Sequence, residues 1–316
     1  MLAAPGAPRF AGMSVVARTL RRTGSTVLGP PLIALVARLG QRRILGGSSA
    51  SRAVEELVAR STHRTTVAPV DLGASVARLE LDLSLPSCRS LLVQPLRQYA
   101  DWSSIHLFTS LARKATTILD VGANIGVFTY LAASHATQAR VLAYEPTPRL
   151  ASLIERNVAR NGWASRVEVR RAAVSSAPGT MTFYVRENDQ ESTLEPGRTA
   201  SGDVRERIQV PVVALDDVFE REGIPPETAL LKIDVEGHEM RLLDGFERTL
   251  RRRNGRPTLL MEFLGRAITD GRIIDRVLGF GLSVHYLTSG GPVRLEKTSD
   301  LERVQELGQF NFLVVE

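Results

Sequence analysis

The chain has 316 residues, 43% of them hydrophobic, enough for one large domain with an extension and for a substantial buried core. A net charge of +6 and an isoelectric point near 10.0 do not mark a nucleic-acid binder. Lys114, Lys232 and Lys297 are the only lysines, and beyond the N-terminus the arginines are interleaved with acids and form no aromatic-studded basic stripe. A single cysteine, Cys88, excludes an intrachain disulfide framework and fits a reducing, cytoplasmic location, and no apolar run approaches the ~18 residues of a membrane span.

Residues 1–54 contain no Asp or Glu and carry Arg9, Arg18, Arg21, Arg22, Arg38, Arg42, Arg43 and Arg52. Leu32, Ile33, Val36 and Leu39 recur at helical spacing behind Pro30-Pro31, as an amphipathic helix requires. Three readings of this extension stand side by side: an organellar transit peptide, a peripheral membrane contact with the helix lying on an anionic surface, and a helix packed on the domain that follows. Arginines interrupt every apolar stretch, which argues against a secretory signal. Residues 55–104 read as a cover region. There Val76, Leu79, Leu81, Leu83 and Leu85 alternate in part with Arg78, Glu80, Asp82 and Ser84, a strand period, and a helix is expected over 102–114.

From 105 to 316 the pattern is β-α-β. Ile118–Val121 predicts a buried strand, Gly122 to Gly126 a tight turn, and 125–136 a helix; Val141–Tyr144 predicts the next strand, closed by Glu145-Pro146. Leu150 to Asn161 predicts a helix with Leu150, Leu153, Ile154 and Val158 on one face, stopped at Asn161-Gly162. Strands follow over 167–173 and 181–185. Residues 186–207 are polar and read as a mobile loop, a candidate substrate lid. A strand over 208–213, a short helix, a buried strand over 229–235, a helix over 238–252, a buried strand over 258–263, a helix over 273–280 and closing strands over 282–287 and 310–315 complete the chain. The last two strands are expected to pair antiparallel. The expected architecture is α/β, a doubly wound, mostly parallel seven-stranded sheet with helices on both faces and a helical/β N-terminal extension.

The turn carries the first chemistry. Strand, glycine turn, helix and acid-ended strand build a nucleoside pocket at the carboxyl edge of a sheet, where Glu145 is placed to accept hydrogen bonds from two ribose hydroxyls. A dinucleotide fingerprint would need a third glycine where Asn124 stands, and Asp120 would repel a pyrophosphate. Asp120 instead suits an ammonium, so Asp120, Gly122, Asn124 and Gly126 fit the methionyl end of S-adenosylmethionine. Ala173, after the third strand, is placed to border an adenine, and Thr147 follows Glu145 toward the pocket.

The second chemistry lies at Lys232-Ile233-Asp234-Val235-Glu236. Period two sets Lys232, Asp234 and Glu236 on one face, and three ionisable groups at the mouth of an apolar strand are costly unless paired or used. Asp234 is the expected general base or acceptor-positioning group, with Glu236 beside it and Lys232 keeping both ionised. His238, at a helix start that favours a neutral imidazole, is a further candidate base. Glu262 is a second carboxylate at the neighbouring strand end. A divalent cation on Asp234, Glu236 and Glu262 lacks supporting ligand spacing, and no metal is expected.

Asp120-Val-Gly-Ala-Asn-Ile-Gly126, Glu145-Pro146, Lys232-Ile-Asp-Val-Glu-Gly-His-Glu239 and Phe310-Asn-Phe-Leu-Val-Val315 together resemble the FkbM family of S-adenosylmethionine-dependent methyltransferases. The resemblance runs from about Ile105 to Glu316. It implies a class I methyltransferase (Rossmann-like) sheet and methyl transfer to hydroxyl oxygens of small molecules or glycans. Two alternatives stay open on the residues: N-methylation, and a non-catalytic protein that keeps the cofactor pocket. Oligomeric state and acceptor identity are not encoded in any readable motif.

Overall fold

Short Val-, Ile- and Leu-rich runs bounded by turns cannot satisfy their backbone groups alone, so they pair into sheets and bury both faces where helices cover them. A computed structural model describes residues 33–36, 48–60, 64–96, 102–195, 204–262, 272–288, 290–301 and 312–316. The chain divides into two units, Met1–Ala100 and Asp101–Glu316. Most of the acid-free extension lies outside the described residues. Of the helix predicted near 32–39, residues 33–36 are described and are helical, with Ile33 and Val36 buried.

In the first unit, helix Ser48–Ala59 precedes an antiparallel hairpin of β1 (Thr65–Asp71) and β2 (Val76–Asp82), followed by helix Pro86–Val93. The hairpin buries Ala68 and Val70 on one strand and Ala77, Leu79 and Leu81 on the other. Val76, at the start of β2, is 64% exposed, and the buried period begins one residue later at Ala77.

Among the described residues the second unit holds two sheets. The larger contains β3 (Thr117–Val121), β4 (Arg140–Tyr144), β5 (Val167–Arg170), β9 (Ala229–Ile233), β10 (Thr258–Glu262), β11 (Val284–Thr288), β12 (Gly291–Leu295) and β13 (Phe312–Val315), in the order β12-β11-β13-β10-β9-β3-β4-β5. Pairs β5–β4, β4–β3, β3–β9 and β9–β10 are parallel. Strand β13 enters antiparallel between β10 and β11, as expected for the two closing strands. Among the described residues the sheet thus has eight strands where seven were expected. The extra one, β12, is a hairpin return from β11, hidden in the sequence behind Gly290-Gly291-Pro292.

Alternation along each strand sends successive residues to opposite faces. Leu119, Val121, Leu231, Ile233, Leu259 and Met261 form one core with helices Leu215–Glu222, Glu239–Asp244 and Arg272–Gly279. Ile118, Asp120, Leu230 and Lys232 point the other way, toward helices Trp102–Ala112 and Val127–His135. The strand order reverses between β3 and β9, which is where such sheets place their crevice.

The smaller sheet joins β6 (Ala173–Val174), β8 (Val204–Val213) and β7 (Gly179–Arg186) in the order β6-β8-β7. It corrects two expectations. The predicted strand 167–173 is two strands in two different sheets, interrupted at Arg171-Ala172. The predicted loop 186–207 loses its last four residues to β8, which pairs along β7; part of that loop, 196–203, lies outside the described residues. Two shorter corrections concern the motif region. Strand 229–235 ends at Ile233, and helix 238–252 is broken at Gly245-Phe246 into Glu239–Asp244 and Glu247–Leu250. A Cβ on Gly245 would lie 2.2 Å from the Ser175 carbonyl oxygen, so this close approach fixes the break.

Candidate active site

Four adjacent parallel strands end at one edge, and each delivers a carboxylate at or just past its end: Glu145 after β4, Asp120 in β3, Asp234 after β9 and Glu262 in β10. Their backbones are stitched together there. The amides of Gly122 and Ala123 donate to the Tyr144 carbonyl at 3.0 and 2.9 Å, and the Asp234 amide donates to the Val121 carbonyl at 3.0 Å. Gly122 has φ +80°, and a Cβ on it would lie 1.8 Å from the Asp234 carbonyl oxygen. The turn after β3 and the end of β9 can lie this close only because residue 122 has no side chain. Gly126 has φ +89°, and its absent Cβ is faced by the Tyr130 ring.

On the β3–β4 side the carboxylates are fully buried. Glu145 is 4% exposed; one oxygen accepts from the Asn124 amide at 2.9 Å and the other from the Thr147 amide at 2.8 Å. Burial pushes its carboxyl up to about 7, against the opposing pull of these bonds. Asn124 reaches this position with φ +52°, a conformation Asn tolerates better than most residues, and its side chain accepts from the Ile125 amide at 2.7 Å. Asp120 is 2% exposed and accepts from Thr129 Oγ1 at 2.6 Å. Burial raises it to about 6, with Thr129 and Lys232 pulling the other way.

On the β9–β10 side the carboxylates are half open. Lys232 is 1% exposed, with its Nζ 4.8 Å above the Phe128 ring centre, a cation–π position. Its ammonium lies 3.5 Å from Asp234 and 3.3 Å from Glu262, whose side chains are 31% and 41% exposed. Burial works against the ammonium, yet Asp234, Glu262 and Asp120 together raise it above its ordinary value. Glu262 is pushed up to about 7, by burial first and then by the neighbouring Asp234 charge, with Lys232 opposing. Among the described residues no group of three or more His, Cys, Asp or Glu could hold a metal ion.

Period two carries Lys232 and Asp234 to one corner but does not extend to Glu236. The strand has ended, and Glu236 sits in a turn with φ +52°, followed by Gly237 at φ +96°. His238 is 2% exposed and both ring nitrogens are engaged: Nδ1 lies 2.6 Å from Glu195 and Nε2 lies 2.9 Å from Ser175 Oγ. Burial lowers its imidazole below the ordinary value, with Glu195 opposing. Ala173 lies in β6, packed with Phe183, Leu194, Val210 and Val212. Sequence reasoning singled out none of Thr129, Phe128, Ser175, Thr193 and Glu195. The signal for Thr129 was present: it stands nine residues after Asp120 on helix Val127–His135, one turn past the glycine turn. Thr193 and Glu195 lie in the stretch identified only as a lid.

Residues 120–286 match the family model of the methyltransferase FkbM domain. The methyltransferase sdnD of Sordaria araneosa is 32% identical over 155 residues, 41% of this chain and 60% of the relative. The 31-O-demethyl-FK506 methyltransferase FkbM of Streptomyces tacrolimicus is 34% identical over 161 residues, 43% of this chain and 61% of the relative. The hexuronic acid methyltransferase AglP of Haloferax volcanii is 27% identical over 146 residues, 46% of this chain and 56% of the relative. The chain thus spans about three fifths of the length of the curated relatives it matches.

Proposed function

This chain belongs to the FkbM methyltransferase family, and on that premise we propose that it moves a methyl group from S-adenosylmethionine to a hydroxyl oxygen of a small molecule or glycan. The observation that carries the reading is the division of the sheet edge into two buried carboxylates on β3–β4 and two half-exposed ones on β9–β10. A carboxylate offers about four acceptor positions. Backbone amides use two of those on Glu145, leaving the others for donors such as the two hydroxyls of a ribose. Burial disfavours the charge on Asp120 and Glu145, so a cationic ligand rich in hydroxyl donors suits them better than a phosphate does. The residues present therefore fit S-adenosylmethionine, with Asp120, Gly122, Asn124 and Gly126 around the methionyl end and Glu145 at the ribose, whereas the Ala173 side chain, expected beside the adenine, packs into the core of the smaller sheet.

That cofactor supplies an already activated methyl group. What remains for the chain is to hold the acceptor in line and take up its proton. Asp234, half exposed and 3.5 Å from a buried ammonium, is the group assigned to accept or orient that hydroxyl. Glu262 shares Lys232 with it, and its raised pKa suits a proton acceptor near neutrality. Glu236 shapes the turn beside them. His238, expected as a candidate base, has both ring nitrogens held by Glu195 and Ser175. The relatives named for 31-O-demethyl-FK506 and for hexuronic acid support a hydroxyl-bearing acceptor.

The test is calorimetric titration with S-adenosylmethionine and S-adenosylhomocysteine of the intact chain, Glu145→Ala and Asp234→Ala. Binding that collapses in Glu145→Ala and survives in Asp234→Ala supports the division of labour. Absence of binding to the unaltered chain at millimolar ligand overturns it.

A further inference from the structure

Among the described residues, only two non-glycine residues have left-handed backbones: Asn124 and Glu236, both at φ +52°. Such a conformation costs a residue with a Cβ about 1 kcal/mol or more and persists when the surroundings hold it. The two residues lie at the mouths of adjacent strands, β3 and β9, and the same short segment touches both. The Asn124 side-chain amide donates to the Asp189 carbonyl at 3.0 Å, and Thr193 Oγ1 donates to the Glu236 carbonyl at 2.8 Å.

The segment is itself firmly seated. Thr193 is 1% exposed and exchanges backbone hydrogen bonds with Tyr184 of β7 at 2.9 and 3.2 Å. Its hydroxyl also accepts the Glu195 amide at 3.0 Å. The Glu195 carboxylate then meets His238 Nδ1, two residues past Glu236, and the other His238 nitrogen meets the buried Ser175. A neutral imidazole that donates through Nδ1 and accepts from the serine hydroxyl satisfies both contacts. The strained turn at 236–238 is therefore fastened at Glu236 by Thr193 and at His238 by Glu195.

We infer that Asp189–Glu195 is a positioning clamp: Thr193, backed by the Glu195–His238 pair, sets the Glu236 turn, while the Asp189 carbonyl sets the Asn124 turn in the same register. The inference rests on the proposed methyltransferase reading for its purpose. The clamp would keep the Asp234 end of β9 and the Glu145-binding amide of Asn124 at a fixed separation, so that donor and acceptor pockets form together. Thr193, Glu195 and His238 act through other groups in this scheme.

Hydrogen exchange on the intact chain tests the clamp without any ligand, alongside titration with S-adenosylhomocysteine. Thr193→Val removes both hydroxyl bonds at nearly constant volume, and Thr193→Ser keeps them. The expected result is exchange about tenfold faster at 122–126 and 234–238 in Thr193→Val, with β3 and β9 unchanged, and near-normal exchange in Thr193→Ser. S-adenosylhomocysteine should bind Thr193→Val about tenfold more weakly and Thr193→Ser normally. Glu195→Ala, at a partly exposed position, should loosen 234–238 alone and serves if Thr193→Val does not fold. Unchanged exchange at both turns in Thr193→Val, or in Glu195→Ala at 234–238, overturns the clamp. Acceleration spread evenly over the sheet also overturns it, since Thr193 would then be a general stabiliser. If the unaltered chain binds no S-adenosylhomocysteine, the methyltransferase reading fails while the exchange result still decides the clamp.

Discussion

The two halves of the sheet edge use the same side-chain chemistry under opposite physical conditions. On β3–β4, Asp120 and Glu145 are 2% and 4% exposed, and Glu145 is gripped by backbone amides. On β9–β10, Asp234 and Glu262 are 31% and 41% exposed and share one buried lysine. Backbone donors cannot rotate away, so Glu145 is held in a preformed position, as the proposed recognition role requires. Side-chain carboxylates that stay partly open to solvent can readjust as charge moves, which would suit the proposed proton transfer. In the proposed reaction, this separation of recognition from proton transfer would give each carboxylate pair the environment its task requires.

The largest expected effect would break this comparison from the β9 side. In Asp234→Asn, methyl transfer to an identified acceptor should fall by about 10²- to 10⁴-fold, while the dissociation constant for S-adenosylmethionine stays within about threefold. An equal loss in both measurements would mean that the halves are not separable. Gly122→Ala comes next, because residue 122 is where the halves touch. Its φ of +80° and the Asp234 carbonyl in its Cβ space should lower stability by of order 3 kcal/mol, read as a denaturant midpoint shift. Glu145→Ala should then weaken S-adenosylmethionine binding by about 10- to 100-fold in calorimetry, the range for hydrogen bonds to a charged group.

The last effect is pH dependence, and its sign follows from the burial of Asp120 and Glu145. Glu145 and Asp120 are raised in the folded chain to about 7 and about 6. A raised acid binds its proton more tightly when folded, so its stabilising contribution is complete below the unfolded value and is lost as pH rises through the folded one. The melting temperature of the ligand-free protein should therefore decline between about pH 4.5 and 7.5. In Glu145→Gln the decline should be shallower. A melting temperature that rises across this window would contradict the burial of both groups.

Much of the frame was legible in the chain. Pattern and punctuation located β3, β4, β9 and β10, the helices between them and the antiparallel return of the last strand, since buried strands and glycine-stopped helices leave local signatures. The eighth strand was not legible, because Gly290-Gly291-Pro292 carries turn chemistry without strand periodicity. Nor was the division of 167–173 between two sheets. Which sheet a strand joins depends on residues far along the chain, here Val212 and Val213 beside Ala173 and Val174.

At the site the same boundary holds. The sequence by itself determined that Gly122, Gly126, Glu145, Lys232 and Asp234 share one sheet edge, because β-α-β repetition sends the carboxyl ends of parallel strands to the same side. Only the tertiary structure decided which carboxylates are sealed and which are open, that Asp234's own carbonyl fills the space Gly122 leaves, and that Glu236 turns into a left-handed backbone. It also decided that Thr193 and Glu195, over 40 residues before the turn they hold, are the residues that hold it. Burial and hydrogen-bond partners are properties of the packed chain, and a threonine in a polar stretch shows its partner only when the fold has brought the two together.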